Sequence, residues 1–490
     1  MLPYKNLIPI CRSSKTAIYL QIVEAFAKLI QQGKLSAETK LPGSRVLGQL
    51  LEVHRNTITV AYEELEAQGW VEIRPKRGVF VHQKIPTIKA QELKREGNTA
   101  SNKIGYAIQP LRYIKPAHPM PLSRLQFNDG VPDVRLAPLT ALGRAYRSVI
   151  QRSSFKKGLV YGTTKGGLEL RTELVEYLQS TRGIALGVDN MLISRGSVMG
   201  LYMVAQILVK PKDIVVVGRL NYSTANMMFQ ELGAELVYID VDEQGVVVEQ
   251  LEQYCRHKPI RAIYVASHHH HPTTVTLSAD RRLKLLKLAQ EHSFAIIEDD
   301  YDYDFHYQRN PILPLASIDQ LKHVIYIGSL SKVMAPAFRV GFVAAHPDLI
   351  NEMARLRRVI DRQGDFPLEK AIAELFQTGE IQRHIRKSLR IYQQRRDRLD
   401  ELLKTYMSDV VYFDKPNGGM AIWTVFDNQI DVQSSAQKAL RQGLFFSSGE
   451  GYTINVPNLK ATRLGFTSMT LDELEEAVLI FKKSIVTTNP

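Results

Sequence analysis

Val324-Ile325-Tyr326-Ile327-Gly328-Ser329-Leu330-Ser331-Lys332 begins as a buried strand and ends on a lysine. Its β-branched and aromatic run is unbroken up to Gly328, the pattern of a strand covered on both faces. Two serines and Lys332 follow at once, and Arg339 stands seven residues further on. A second run of this kind, Phe294-Ala295-Ile296-Ile297-Glu298-Asp299-Asp300-Tyr301, places Asp299 33 residues before Lys332. Residues 214–217, 262–267 and 340–345 are further short β-rich runs, with amphipathic helical stretches between many of them. Such alternation predicts an α/β domain with a mostly parallel sheet and a ligand site at the carboxyl ends of its strands.

Those ends carry a definite chemistry. Pyridoxal phosphate (PLP) needs an amine to form an imine and an acid to keep its pyridine nitrogen protonated. Its phosphate needs groups that bind a dianion. Lys332 supplies the amine and Asp299 the acid, while Ser329 and Arg339 flank the lysine. Gly196-Ser197-Val198 opens a predicted helix whose backbone N–H groups suit the same phosphate. A Ser-x-Ser-Lys tetrapeptide is common, and each signal alone is weak; their spacing across strand ends gives them weight.

The first ~82 residues have another rhythm, read from helical spacing and turn chemistry. Ile18, Ile22, Ala25, Phe26, Leu29 and Ile30 recur at helical spacing, and Gly33 ends that helix. Ser44 is the expected N-cap of a short helix over 45–51, and Glu52-Val53-His54 separates it from a second helix starting at Arg55. This is a helix-turn-helix, whose second helix would enter the major groove of DNA. Arg45, Arg55, Asn56, Thr57 and Thr59 are candidate contacts to phosphates and base edges. Residues 71–73 and 79–81 form a predicted hairpin, and its tip offers Arg74, Lys76 and Arg77 as a basic wing.

Charge follows the same division. Residues 1–123 hold 18 Lys and Arg against 9 Asp and Glu, so the remainder contributes only 4 of the net +13. A basic N-terminal end favours double-stranded DNA as a partner. Residues 83–123 are rich in proline and lysine and read as a basic linker. The domains are thus 1–82, the linker, and 124–490, with a small subdomain from about 375. Two cysteines in 490 residues, Cys11 and Cys255, cannot make a disulfide framework and fit a reducing cytoplasm. No stretch is apolar enough to span a bilayer, and the N-terminus lacks signal-peptide features.

Leu41-Pro42-Gly43-Ser44-Arg45 and Arg55-Asn56-Thr57 resemble the DNA-binding domain of the GntR family. The later domain resembles fold-type I aminotransferases, and the fusion resembles the MocR subfamily of bacterial regulators. By that resemblance Lys332 is the PLP Schiff-base lysine, Asp299 pairs with the pyridinium, and Tyr301 hydrogen-bonds the phenolic oxygen. Tyr222 stacks on the ring; Ser197, Val198, Ser329 and Arg339 hold the phosphate; and Tyr161 reaches the phosphate of a partner subunit in a homodimer. Arg463 takes the carboxylate of an amino-compound effector. The chain departs from the family at Gly218-Arg219-Leu220-Asn221-Tyr222, which lacks the usual acid and proline, and at Gly418-Gly419-Met420-Ala421. Thr224 stands where relatives that respond to γ-aminobutyrate carry arginine, which argues against that ligand. His268-His269-His270-His271 admits a metal reading, but no carboxylate is near in sequence, and a loop lining the PLP pocket is the expectation. Three functions stay open: a PLP-responsive regulator, a working aminotransferase with an appended reader, and a retired enzyme kept for dimerisation.

Overall fold

The computed structural model describes residues 3–84, 104–116, 121, 123–307, 312–452 and 459–487. Most of the expected linker, including residues 85–103, lies outside them. The chain divides into two compact units, Met1–Ile108 and Gln109–Pro490.

In the first unit, helices Ile18–Gln31, Ser44–Leu51 and Arg55–Ala67 precede strands Val71–Arg74 and Gly78–Val81, which pair antiparallel. Ile22, Phe26, Leu47, Ile58, Ala61 and Leu65 close on one another with no exposed surface. Ser44 differs from its expected capping role. Gly43 occupies the N-cap position with no side-chain cap, Ser44 is the first helical residue, and its hydroxyl accepts from Arg55 Nε at 3.3 Å. The cap of the second helix is His54, whose imidazole accepts from the Asn56 backbone at 3.3 Å.

The second unit is built on a seven-stranded sheet in the order Met191–Ser194, Gly341–Ala344, Val324–Ser329, Ala295–Asp300, Ile260–Val265, Ile214–Gly218, Glu235–Ile239. Gly341–Ala344 runs antiparallel to both neighbours, and the other pairings of this sheet are parallel. Apolar clusters cover both faces of the sheet, which is why its strands read as continuous hydrophobic runs. The carboxyl ends of the other six strands therefore open on one edge, carrying Ser194, Gly218, Ile239, Val265, Asp300 and Ser329.

A smaller layer packs on the 27-residue helix Glu380–Tyr406, with the antiparallel sheet Val411–Tyr412, Ala421–Phe426, Ala461–Gly465 and the helix Leu471–Ser484. This subdomain is not purely C-terminal, because Leu125–Phe127 pairs in parallel with Leu444–Phe446. The arginine-rich stretch 383–396 is only partly a solvated face. Arg395 is buried against Asp133 at 2.9 Å, and Arg396 donates to the Pro416 carbonyl at 2.9 Å. Among the described residues, no helix is long and apolar enough to cross a membrane.

Candidate cofactor pocket and nucleic-acid interface

Lys332 lies three residues beyond the strand end at Ser329, in a turn that brings its Nζ within 2.7 Å of the Gly130 carbonyl, to which it donates. The ring of Tyr301 is 6.0 Å from the same amine. Burial pushes the Lys332 amine below its ordinary pKa, against the pull of Asp129 and Asp302. A larger neutral fraction makes it a better nucleophile.

Asp299 is held within its strand, and its Oδ2 accepts from the Tyr264 hydroxyl at 2.6 Å. Its Oδ1 is buried and, among the described residues, has no hydrogen-bond partner. Burial raises its pKa to about 6, against the Tyr264 hydrogen bond. A buried carboxylate with one open oxygen is what a ring N–H requires. Tyr222, at the start of the helix Ser223–Glu231, meets His271 edge-on with ring centroids 5.5 Å apart. Its phenol feels the charges of Asp299, Asp129 and Arg339 together.

The side of the pocket around Gly196 is made by close backbone approach. Gly196 has φ +82°, and the helix Ser197–Leu208 starts behind it without a side-chain cap, leaving N–H groups of its first turn free. A Cβ at Gly196 would lie 2.5 Å from Arg339 Nη2, so this guanidinium sits directly over the turn and donates to the Arg195 carbonyl at 3.1 Å. Gly341 is equally constrained, since a Cβ there would fall 2.6 Å from the Gly196 carbonyl carbon. Ser329 Oγ accepts from the Ser331 backbone at 3.1 Å. Arg339 and the Ser197 backbone thus meet at the Gly196 turn, whereas Tyr161 is 76% exposed with Arg362 stacked 4.1 Å over its ring. The orphaned Asp299 oxygen and the Gly196–Arg339 cradle fit PLP, which when bound supplies an aldehyde for a primary amine and an electron-withdrawing ring.

Tyr301 and Arg463 are engaged with protein. The Tyr301 hydroxyl donates to the His269 carbonyl at 2.8 Å and accepts from Arg463 Nη2 at 3.2 Å. The histidine run is partnered by residues distant in sequence: His269 Nδ1 meets Asp302 at 2.7 Å, and His271 Nε2 meets Asp129 at 2.7 Å. His268 reaches the Ile312 carbonyl, and His270 meets Thr273 Oγ1 at 2.8 Å. Among the described residues, no group of three or more His, Cys, Asp or Glu side chains could hold a metal ion. Sequence reasoning missed Tyr264, Asp302 and Asp129. Tyr264 and Asp299 come together only once their strands are known to be neighbours.

In the first unit Arg45, Arg55 and Asn56 are exposed around the two helix starts, and Thr57 and Thr59 are partly covered. Thr59 Oγ1 donates to the Arg55 carbonyl at 3.2 Å. Lys76, with φ +63°, and Arg77 are exposed at the hairpin tip. Arg74 does not stand with them. It is clamped by Glu38 at 2.8 and 2.9 Å and by Glu72 at 2.8 and 3.0 Å, which neutralises the charge expected to face phosphate.

The chain belongs to the class I and II aminotransferase family, whose model matches residues 125–480. Residues 18–81 match the model of bacterial regulatory proteins of the gntR family. A probable rhizopine catabolism regulatory protein MocR of Rhizobium meliloti is 26% identical over 477 residues, covering 95% of this chain and 93% of its own. An aromatic-amino-acid aminotransferase of Thermococcus litoralis is 28% identical over 354 residues, 71% of this chain and 85% of its own. Among solved structures, a multiple substrate aminotransferase from Thermococcus profundus superposes with TM-score 0.70 at 29% identity, covering 74% of this chain and 92% of its own. A gntR-type DNA-binding domain is therefore fused to a PLP-type aminotransferase domain, an arrangement consistent with the MocR subfamily.

Proposed function

We propose that this chain is a cytoplasmic homodimeric transcription regulator whose grip on operator DNA responds to PLP, alone or joined to an amino compound. The observation that carries the reading is the pairing of two sites on one chain. One is a helix-turn-helix presenting Arg45, Arg55 and Asn56 to solvent; the other is the Lys332, Asp299 and Arg339 pocket at the sheet edge. Lys332 anchors the cofactor, Asp299 faces its ring nitrogen and Tyr222 covers its face. Ser197, Val198, Ser329 and Arg339 take its phosphate, joined by Tyr161 across a dimer interface. A ligand shifts such a protein only by favouring one conformation, and two readers on a dimer convert that shift into half-site spacing.

The structure offers a physical handle for the response. The helix that begins beside Tyr222 ends at Glu231, whose carboxylate accepts from the Arg112 and Tyr113 backbone N–H groups at 3.4 and 2.8 Å. That helix would link occupancy at Tyr222 to the chain segment that leads back towards the reader.

Arg55, Arg45, Asn56, Thr57, Thr59, Lys76 and Arg77 form the DNA-contacting set in this reading, with Arg74 as structural support for the hairpin. Arg55→Ala is expected to weaken binding to the DNA upstream of the gene by about 5- to 150-fold, the ~1–3 kcal/mol of a base-reading arginine. Fluorescence anisotropy checks it. An unchanged affinity would remove this helix from the interface.

A further inference from the structure

The position kept by sequence for a ligand carboxylate is already taken. The Arg463 side chain has no exposed surface, and its guanidinium is surrounded by protein groups. Nη1 donates to the Pro272 carbonyl at 3.2 Å and Nη2 to the Tyr301 hydroxyl at 3.2 Å. Nε lies 3.2 Å from Asp129 Oδ1. That N–H is not aligned as a hydrogen bond, so the two groups are paired by charge. The other oxygen of Asp129 accepts from His271 Nε2 at 2.7 Å. Burial alone would raise the Asp129 pKa, but His271, Arg463 and Lys332 outweigh it and hold the carboxyl down at about 2. The group is therefore a permanent anion.

Asp129 also lies in the right place to be met by a ligand. Its side chain is 46% exposed, and its carboxylate stands between Arg463 and His271. The next residue, Gly130, receives Lys332 Nζ on its carbonyl. An incoming α-carboxylate would have to evict Asp129 from Arg463 or sit beside it. Like charges at such range in a confined site are costly, whereas an ammonium is attracted.

We propose that Asp129 is a built-in carboxylate that closes Arg463 to ligands, so that the pocket selects a primary amine lacking an α-carboxylate and discriminates against α-amino acids. The inference rests on the reading of this pocket as the effector site, and it makes Asp129 the residue that sets specificity.

The test uses the full chain in two states. With PLP loaded, L-alanine and isopropylamine (the same skeleton with methyl in place of carboxylate) are titrated against the absorbance of the bound cofactor. In the wild type, isopropylamine is expected to bind at least as tightly as L-alanine. Asp129→Asn keeps an acceptor for His271 and removes the charge. It should tighten L-alanine by about tenfold or more while leaving isopropylamine no tighter than in the wild type, so that the preference between the two reverses. Without PLP, calorimetry with acetate reads the arginine directly. Acetate binding should strengthen about tenfold in Asp129→Asn and vanish when Arg463→Gln is added. Asp129→Ser serves as the second variant should the first unfold. Equal acetate and L-alanine affinities in wild type and both Asp129 variants would overturn the proposal. Absence of a cofactor band in the wild type would instead count against the PLP reading, and the acetate titration would still decide the role of Asp129.

Discussion

Lys332→Ala protein should carry no absorbance from covalently held PLP, and it should retain the cofactor about tenfold more weakly or worse, ~1.4 kcal/mol or above. The argument is local. Lys332 Nζ is placed by the turn after Ser329 and by the Gly130 carbonyl at 2.7 Å, and burial shifts it towards its neutral, nucleophilic form. Lys332→Arg separates charge from chemistry, since a guanidinium keeps the charge but does not form an imine under these conditions. Both variants should lose the band. The remaining phosphate and ring contacts should leave weak, spectrally free PLP binding in both. A normal band in either would mean that another amine holds the cofactor.

The second large effect is expected at Phe26→Ala. Phe26 has no exposed surface, and its ring packs 6.1 Å from Tyr4 and 5.9 Å from Tyr62. Tyr62 lies on the helix Arg55–Ala67 and donates its hydroxyl to the Pro42 carbonyl at 2.7 Å. Removing the phenyl ring therefore undercuts the second helix of the helix-turn-helix and should cost about 3–5 kcal/mol. A unit of roughly 80 residues has little more stability than that to lose. DNA binding should collapse while PLP still binds, because the pocket residues all belong to the other unit. Calorimetry should show the low-temperature transition weakened or gone and the main one unmoved. DNA affinity within about twofold of wild type would show that this core does not support the reader.

Much of the architecture was legible in the sequence because its signals are local. The strand at 324–329, the helix-turn-helix spacing and the basic hairpin each announce themselves within about ten residues, and all three are present. What could not be read was long-range pairing. Glu38 is 36 residues from Arg74, yet it neutralises a charge that the sequence left free for DNA. Leu125–Phe127 joins the small subdomain only through Leu444–Phe446, a parallel pairing with no hairpin signal. The histidine run gave no hint that Asp302 and Asp129 would meet His269 and His271, for neither carboxylate has a fixed spacing to them. Asp129 is the instructive omission. The family resemblance placed a ligand carboxylate at Arg463, and only the tertiary fold brings Asp129 to 3.2 Å from its guanidinium.

The most direct test of the whole account is DNA binding by the wild-type chain with and without saturating PLP. Anisotropy on the upstream DNA, at one fixed salt concentration, compares wild type with Lys332→Ala. The account predicts that PLP shifts wild-type affinity by about fivefold or more, the range of an allosteric coupling of ~1–3 kcal/mol, and leaves Lys332→Ala unmoved. Identical wild-type binding curves in the two conditions, repeated with isopropylamine and L-alanine present, would contradict it.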